Sequence, residues 1–142
     1  MILWRLCRLP HANLAGQGGI LVSGRWHTQG QPIVYTAAES SLTVLEVRVN
    51  LSLDFADLPL DYVLLRIDTG AAAIETLETM PENPREFGNT WLRTRRSPLL
   101  CVPSIIVPQA RNVLLNPAHP EAPHARITDT TPFRFDARLW SV

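Results

Sequence analysis

A single carboxylate, Glu46, stands in the apolar stretch "LTVLEVRV" between Leu45 and Val47. An unpaired carboxylate is costly to bury, so partly buried carboxylates are enriched at functional sites. Glu46 is therefore a candidate catalytic residue. The alternative that the sequence leaves open is an exposed helical residue that pairs with Arg48 or Asn50.

Three further polar residues stand in apolar or glycine-rich stretches. Arg25 lies in "SGRWH", and a guanidinium suits phosphate recognition because its planar group binds two oxygens at once. The alternative for Arg25 is stacking on Trp26 in a surface turn. Tyr35 ends the run "PIVY", which is typical of a core aromatic with its hydroxyl at the rim. Ser104 in "CVPSIIV" is either a small core residue bonded to the backbone or a site hydroxyl.

Composition excludes several kinds of chemistry. The 142-residue chain balances 13 basic against 13 acidic residues, which argues against direct nucleic-acid or anionic-membrane binding. Every basic residue is arginine, so a Schiff-base lysine and a Walker A lysine are excluded. Cys7 and Cys101 lie far apart and the four histidines lack ligand spacing, so we expect reduced thiols and no metal site. The chain has no long apolar run and no signal-like N-terminal stretch, so we expect a cytoplasmic protein.

Hydrophobic patterns predict an α+β fold in a single compact domain, residues 1–142, with short strands and a few helices. Two short buried strands are also predicted on either side of Pro103 within 99–108. The remaining predicted strands are 2–6, 32–37, 61–68, 112–117 and 132–136.

Two segments are predicted to be helical. Residues 39–51 also alternate like a strand, but a serine cap at Ser40 or Ser41 favours a helix. Its apolar face would carry Leu42, Leu45 and Val49. The second helix, 84–97, tolerates Gly88 and turns Phe87, Trp91 and Leu92 toward the core. Residues 15–24 hold four glycines and are expected to form a flexible or tightly turned stretch.

An ordered series of motifs carries a family resemblance over nearly the whole chain. The series comprises "WRL" from Trp4, "GRW" with Arg25, "VYTA" with Tyr35, "LE" with Glu46, "GNTWL" (88–92), "VPS" with Ser104, "NVLLNPAHP" (112–120) and "FRFDARL" (133–139). This chain resembles the RES-domain family, named for its arginine, glutamate and serine. Many members read Gly-Gly-Arg-Trp-Asn, where this chain has Ser23 and His27, and Asn89 stands where aspartate is common. These departures affect loop geometry more than the core set.

The resemblance implies a fold like that of ADP-ribosyltransferases and a toxin of a bacterial type II toxin–antitoxin pair that consumes NAD⁺. It implies that Arg25, Tyr35, Glu46 and Ser104 bind the substrate, with Glu46, Arg25 and Ser104 as the catalytic set. No prosthetic group or metal is implied. The implied partner is an Xre-like helix-turn-helix antitoxin that blocks the pocket mouth, with a possible homodimer inside the complex. The segment "RTRRS" (93–97) is either a docking site for an acidic partner or a solvated helix end.

Cleavage of NAD⁺ fits a single carboxylate, because nicotinamide leaves as a neutral molecule and needs no general acid. Glu46 would stabilise the ribosyl oxocarbenium ion, Arg25 would hold the pyrophosphate, and Tyr35 would offer a face for stacking. Ser104 would orient a ribose or amide, and glycines at 16, 18, 19 and 24 would let the backbone approach the ligand. The acceptor stays open between inorganic phosphate as co-substrate, water and a host protein. A nucleotide- or partner-binding module without catalysis is the alternative class.

Overall fold

A computed structural model describes residues 1–140, and one seven-stranded sheet forms its centre. In order across the sheet, the strands are β4 (Ile74–Thr76), β5 (Leu99–Pro103), β6 (Arg111–Leu115), β2 (Val34–Ala37), β1 (Ile2–Arg8), β3 (Tyr62–Asp68) and β7 (Arg126–Pro132). The α-helices are α1 (Gln17–Leu21), α2 (Ser40–Asn50) and α3 (Pro84–Thr94). Neighbouring strands are antiparallel except β4 and β5, which are parallel. The predicted α+β class is confirmed; the predicted domain, 1–142, extends two residues beyond the described part.

The alternation of side chains along the strands places apolar residues on both faces of the sheet. One face carries a continuous cluster that includes Leu65, Ile67 and Val113. The other face carries two separate clusters. The first, which we call the tryptophan cluster, lies under α3 and consists of Trp26, Ile33, Trp91, Leu92, Leu100, Val102 and Leu114. The second, the aromatic cluster, is built on Leu6, Tyr62 and Phe135, with Val44, Val47, Leu51, Phe133 and Trp140 packed against it.

The sheet parts between β1 and β2, and this parting positions the site. Strand β1 pairs with β3 along its whole length, but within residues 1–140 it is in register with β2 only where Trp4 lies opposite Ala37. Backbone groups next to the parting therefore need other partners. The Leu6 N–H donates to Thr43 Oγ1 of α2 at 3.2 Å, so the helix satisfies what the missing strand pairing leaves open.

Two strand predictions were wrong, and one strand, β4, was not predicted. The chain after Pro103 turns instead of starting a second strand, because the Ser104 hydroxyl accepts the N–H groups of Ile106 and Val107. The last strand is Arg126–Pro132, and residues 133–136 lie outside it. That edge strand is polar and largely exposed, so it carries no apolar alternation, and the three-residue β4 is too short to show one.

The helix predicted at 39–51 is confirmed, but its cap and face differ. Glu39 occupies the N-cap position without a side-chain cap bond, so neither serine caps the helix. Leu45 and Val49 are exposed, while Val44 and Val47 pack against the aromatic cluster. Helix α3 ends at Thr94, three residues before the predicted end. The glycine-rich stretch contains the short helix α1.

Candidate active site

A cleft of about 720 Å³ opens where β1 and β2 part, between α1 with its following loop and helix α2. This volume lies within the range of small-molecule sites, roughly 300–1,000 Å³. Strand β1 contributes Arg5 and Leu6, and β2 contributes Tyr35 and Thr36. The other polar side chains that line it are Ser23, Arg25, His27, Thr43, Glu46, Asn50 and Asn112.

Helix α2 carries Glu46 to the cleft wall, where the side chain is half-buried. The Ser104 hydroxyl donates to Glu46 Oε1 at 2.9 Å. Ser104 is only 2% exposed, and its oxygen accepts the N–H groups of Ile106 and Val107 at 3.1 and 3.2 Å. The serine hydrogen is therefore aimed at the carboxylate by the turn behind it. Ser104 lies behind Glu46 and does not itself line the cleft.

The pairing that the sequence offered as the alternative for Glu46 is absent from residues 1–140. Asn50 donates to the backbone carbonyl of Glu46, which leaves the carboxylate to Ser104. Arg48 lies over the Trp140 ring at 4.0 Å and donates to Leu139 O at 3.0 Å. The carboxylate therefore reaches the cleft with a hydroxyl as its hydrogen-bond partner and no cation.

The loop after α1 presents Arg25 to the cleft from the opposite side. Its side chain is exposed, and within residues 1–140 it makes no hydrogen bond or ion pair. The backbone on either side is held: Gly24 N–H donates to His27 O at 3.1 Å, and Arg85 Nε donates to Gly24 O at 3.1 Å. Trp26 is buried in the tryptophan cluster and does not stack on Arg25 in a surface turn. A guanidinium on a fixed backbone and without a protein partner is suited to an anion.

Tyr35 and His27 form a hydrogen-bonded pair beneath this loop. The Tyr35 hydroxyl lies 2.7 Å from His27 Nδ1 and accepts the Trp26 N–H at 3.2 Å. Burial raises the pKa of Tyr35 to about 12, partly offset by the Trp26 N–H and by the charges of Arg85 and Arg25. His27 is 2% exposed, and it was not predicted from the sequence as a site residue. Its position directly after the Arg-Trp pair was the one signal that could have singled it out.

Two glycines are required by close packing. A Cβ on Gly24 would lie 2.5 Å from the Tyr35 hydroxyl, and one on Gly88 would lie 1.8 Å from Trp26 O. Helix α3 therefore packs directly on the backbone of the loop that carries Arg25. The contact with Tyr35 by itself requires glycine at position 24, and the close approach of a ligand there stays a prediction.

Arg5 is a cleft residue that the sequence reasoning missed. Its Nη1 donates to His11 O at 2.6 Å and to Asn13 O at 3.2 Å, which fixes the guanidinium against the loop after β1. The signal was an arginine in the middle of the apolar strand "ILWRLC". Arg5 therefore lines the cleft while its guanidinium is already bound by the protein.

The remaining polar candidates of the sequence lie away from the cleft. Among residues 1–140, no group of three His, Cys, Asp or Glu side chains could hold a metal ion, and no helix is long and apolar enough to cross a membrane. Cys7 and Cys101 are free thiols, and burial raises the pKa of both. In the segment 93–97, Arg96 pairs with Glu75 at 2.7 Å, while Arg93 and Arg95 are exposed.

The fold and the cleft define a mixed α/β domain whose parted sheet holds one carboxylate opposite an unpaired guanidinium. The RES domain family model matches residues 2–136, and the chain belongs to this family. A Toxin Res of Pseudomonas putida is 42% identical over 150 residues, covering 99% of this chain and 100% of the relative. The Prs ADP-ribosylating toxin of a Sphingobium species is 33% identical over 141 residues, covering 89% and 86%.

A solved structure confirms the fold at lower sequence identity. The crystal structure of the M. tuberculosis MbcT–MbcA toxin–antitoxin complex matches with a TM-score of 0.72 and 16% identity. The match covers 94% of this chain and 84% of the chain in that complex.

Proposed function

We propose that this chain is the toxin of a bacterial type II toxin–antitoxin pair and acts on NAD⁺ by cleaving its nicotinamide–ribose bond. The similarity to proteins named Toxin Res and to a toxin–antitoxin complex supports the class. The observation that carries the reaction is the arrangement in the cleft. Glu46, held by Ser104, lies on one wall, and Arg25, which has no partner among residues 1–140, lies on the other.

Arg25 binds the pyrophosphate of the dinucleotide in this proposal. Its guanidinium can make two parallel charge-assisted hydrogen bonds to phosphate oxygens, and its backbone is already fixed. Arg5 also lines the cleft, but its guanidinium already donates to the backbone carbonyls of His11 and Asn13. Because lysine is absent from the chain, all strong cationic contacts to the substrate come from arginine.

Glu46 stabilises the transition state. When the bond between the ribose carbon and the nicotinamide nitrogen breaks, its electron pair neutralises the pyridinium, and positive charge develops on the ribose. A carboxylate ~4 Å away at an effective dielectric of ~20 stabilises that charge by about 4 kcal/mol. That amounts to roughly a thousandfold in rate. Ser104 acts through Glu46 by fixing the direction of its carboxylate, so within the catalytic set of Glu46, Arg25 and Ser104 it has a positioning role.

The molecule that accepts the ADP-ribosyl group decides whether the enzyme is a phosphorylase, a glycohydrolase or a transferase. With inorganic phosphate as co-substrate, a phosphate oxygen attacks the ribose carbon, giving phosphorylated ADP-ribose and defining an NAD⁺ phosphorylase. With water, the attacking molecule loses a proton to solvent, giving ADP-ribose and defining an NAD⁺ glycohydrolase. We rank these two first. Transfer to a host protein is the second candidate, and the relative named Prs ADP-ribosylating toxin favours keeping it.

An antitoxin of the Xre-like helix-turn-helix type is the proposed partner, with a homodimer of this chain as a further proposal for the complex. Exposed apolar side chains at the cleft and next to it in sequence support a docking role. Val22 and Ile105 line the cleft, and Ile20 and Leu21 directly precede Val22 at the end of α1. Leu21→Asp is expected to weaken the complex with the antitoxin while leaving NAD⁺ consumption intact, because Leu21 does not line the cleft.

Incubation of antitoxin-free protein with NAD⁺, with and without inorganic phosphate, tests the proposal by product mass. Phosphorylated ADP-ribose that forms only with phosphate identifies the phosphorylase, and ADP-ribose in both arms identifies the glycohydrolase. An adduct on added cell protein identifies the transferase. Intact NAD⁺ in every arm, with the folded state verified by circular dichroism, would leave only a binding module without catalysis.

A further inference from the structure

The His27 ring joins three segments of the Arg25 wall of the cleft. Its Nε2 lies 3.1 Å from Gly19 O and 2.9 Å from Val22 O, at the C-terminal end of α1. Its Nδ1 lies 2.7 Å from the Tyr35 hydroxyl of β2. Carbonyl oxygens only accept, so the hydrogen of a neutral imidazole is on Nε2 and Nδ1 is an acceptor.

This tautomer determines what Tyr35 offers. A phenol has one hydrogen to donate and two acceptor positions. The hydrogen goes to His27 Nδ1, and one acceptor position is taken by the Trp26 N–H at 3.2 Å. A pKa of about 12 for Tyr35 means that the hydrogen is present at neutral pH. The one remaining position is an oxygen lone pair, and Tyr35 lines the cleft.

We propose that His27 is a specificity-determining positioning residue: its Nε2–H tautomer turns the Tyr35 hydrogen away from the ligand, so that Tyr35 can only accept from a donor on the substrate. The substrate group that Tyr35 would recognise is therefore an N–H or O–H donor. On the proposed function, on which this inference rests for the substrate, the donor is either the carboxamide N–H of nicotinamide or a ribose hydroxyl.

Through Tyr35, the same ring affects one backbone neighbour of Arg25. The Trp26 N–H bonds to the hydroxyl that His27 orients, whereas the Gly24 N–H bonds to the backbone carbonyl of His27, which every His27 variant keeps. The position of the Trp26 backbone therefore depends on Tyr35 and on the His27 ring. Loss of the His27 side chain is expected to weaken substrate binding rather than the catalytic step at Glu46.

Three variants separate these roles. His27→Leu removes both ring nitrogens, whereas His27→Asn keeps a carbonyl oxygen near the position of Nδ1 as an acceptor for Tyr35. Tyr35→Phe removes the hydroxyl alone. His124→Asn, at an exposed turn outside the cleft, is the matched control and is expected to behave like the wild type.

The first measurement is the ¹H–¹⁵N long-range NMR spectrum of the histidine rings in the wild-type chain. We expect His27 to show a protonated Nε2 and an unprotonated Nδ1, and the Trp26 amide signal to shift in Tyr35→Phe and His27→Leu. A His27 ring protonated at Nδ1 at neutral pH overturns the proposal. This readout does not require turnover, so it decides the inference even if the chain leaves NAD⁺ intact.

The second measurement is KM and kcat for NAD⁺. We expect His27→Leu and Tyr35→Phe each to raise KM by about tenfold, which corresponds to the loss of one hydrogen bond to the substrate. The value of kcat should stay within about twofold of the wild type. Because His27 acts through Tyr35, the double variant His27→Leu/Tyr35→Phe should have a KM no higher than that of the poorer single variant. The KM of His27→Asn should lie close to that of the wild type. Additive effects in the double variant, or a fall in kcat alone, would contradict the assignment.

The dinucleotide of nicotinic acid distinguishes the two donors, because its carboxylate has no N–H group. If Tyr35 accepts from the carboxamide, the wild type discriminates against this analogue and Tyr35→Phe loses that discrimination. If Tyr35 accepts from a ribose hydroxyl, the preference is the same in both proteins, while KM still rises in the variant. A Tyr35→Phe variant with unchanged KM for both compounds means that Tyr35 receives no donor.

Discussion

The two walls of the cleft are held in place by different kinds of interaction. On the Arg25 wall, α3 supports the loop through polar contacts: Asn89 Oδ1 accepts the Thr28 N–H at 2.9 Å, and Asn89 Nδ2 donates to Thr28 Oγ1 at 2.8 Å. On the Glu46 wall, α2 rests on the aromatic cluster. There, Trp140 stacks beneath Arg48, and its Nε1 donates to Leu53 O at 2.9 Å.

The difference separates binding from catalysis. The wall with Arg25 is a loop anchored by the buried Trp26 side chain, and its remaining geometry depends on single hydrogen bonds and on a glycine contact. The wall with Glu46 is a helix packed on aromatic rings, with one hydroxyl aiming the carboxylate. A change on the first wall should act mainly on KM, and a change on the second mainly on kcat.

The largest expected effect lies on the helical wall. On the proposed function, Glu46→Ala removes the charge that stabilises the ribosyl cation, so kcat should fall about a thousandfold, or about 4 kcal/mol, with little change in NAD⁺ binding. Glu46→Gln keeps an acceptor for Ser104, but its kcat should fall nearly as far, because the negative charge is what stabilises the transition state. Nicotinamide release under saturating NAD⁺ measures both. Near-normal kcat in either variant would remove Glu46 from the reaction.

The next effect lies on the loop wall. A methyl group at Gly88 would lie 1.8 Å from Trp26 O, so Gly88→Ala must push α3 away from the loop. The expected loss is about 3 kcal/mol in the free energy of unfolding, with a raised KM. Gly18→Ala is the control, since a Cβ there meets nothing within 4 Å. Urea unfolding measures the free energy of unfolding of both variants. Equal losses in Gly88→Ala and Gly18→Ala would contradict the prediction.

High pH should affect the loop wall more than the helical wall. Burial disfavours ionised Tyr35, so its contribution to stability is complete below about pH 10 and is lost as pH rises toward its folded pKa of about 12. The loss reaches about 2 to 3 kcal/mol, because each pKa unit is worth roughly 1.4 kcal/mol. Tyr62 is the other tyrosine and belongs to the aromatic cluster.

The variant Tyr62→Phe leaves Tyr35 as the sole tyrosine, and its ultraviolet titration should have a midpoint near 12. Tyr35→Phe should keep more of its stability than the wild type at alkaline pH. A Tyr35 midpoint at the ordinary value of about 10 would show that its hydroxyl is not buried as described.

The smallest effect concerns Arg25 itself. Arg25→Ala removes charge-assisted hydrogen bonds worth about 2 kcal/mol, so KM should rise about thirtyfold while kcat changes little. Stability should stay constant, because the side chain has no protein partner in the described residues. Arg126→Ala, on the exposed edge strand β7, is the charge-matched control. Equal KM values in the two variants would mean that Arg25 does not bind the substrate.

The sequence predicted the strands with apolar runs and the helix that carries Glu46, because those patterns are local. It misplaced the last strand, because Arg126–Pro132 is a polar edge that long-range pairing with β3 defines. The site residues were named through the family resemblance rather than by spacing. Their partners could not be predicted, since the contact of Ser104 with Glu46 joins residues 58 positions apart. The separation of β1 from β2 could not be predicted either, because neither strand carries a sequence pattern that marks it. The assigned roles of Glu46, Arg25, Tyr35 and Ser104 stay predictions.

The most direct test of the central claim is a crystal structure of Glu46→Gln soaked with NAD⁺. The account predicts an uncleaved dinucleotide where β1 and β2 part, with its pyrophosphate on Arg25 and the nicotinamide-bearing ribose carbon beside residue 46. A dinucleotide bound outside this cleft, or one inside it with the ribose turned away from residue 46, would contradict the account.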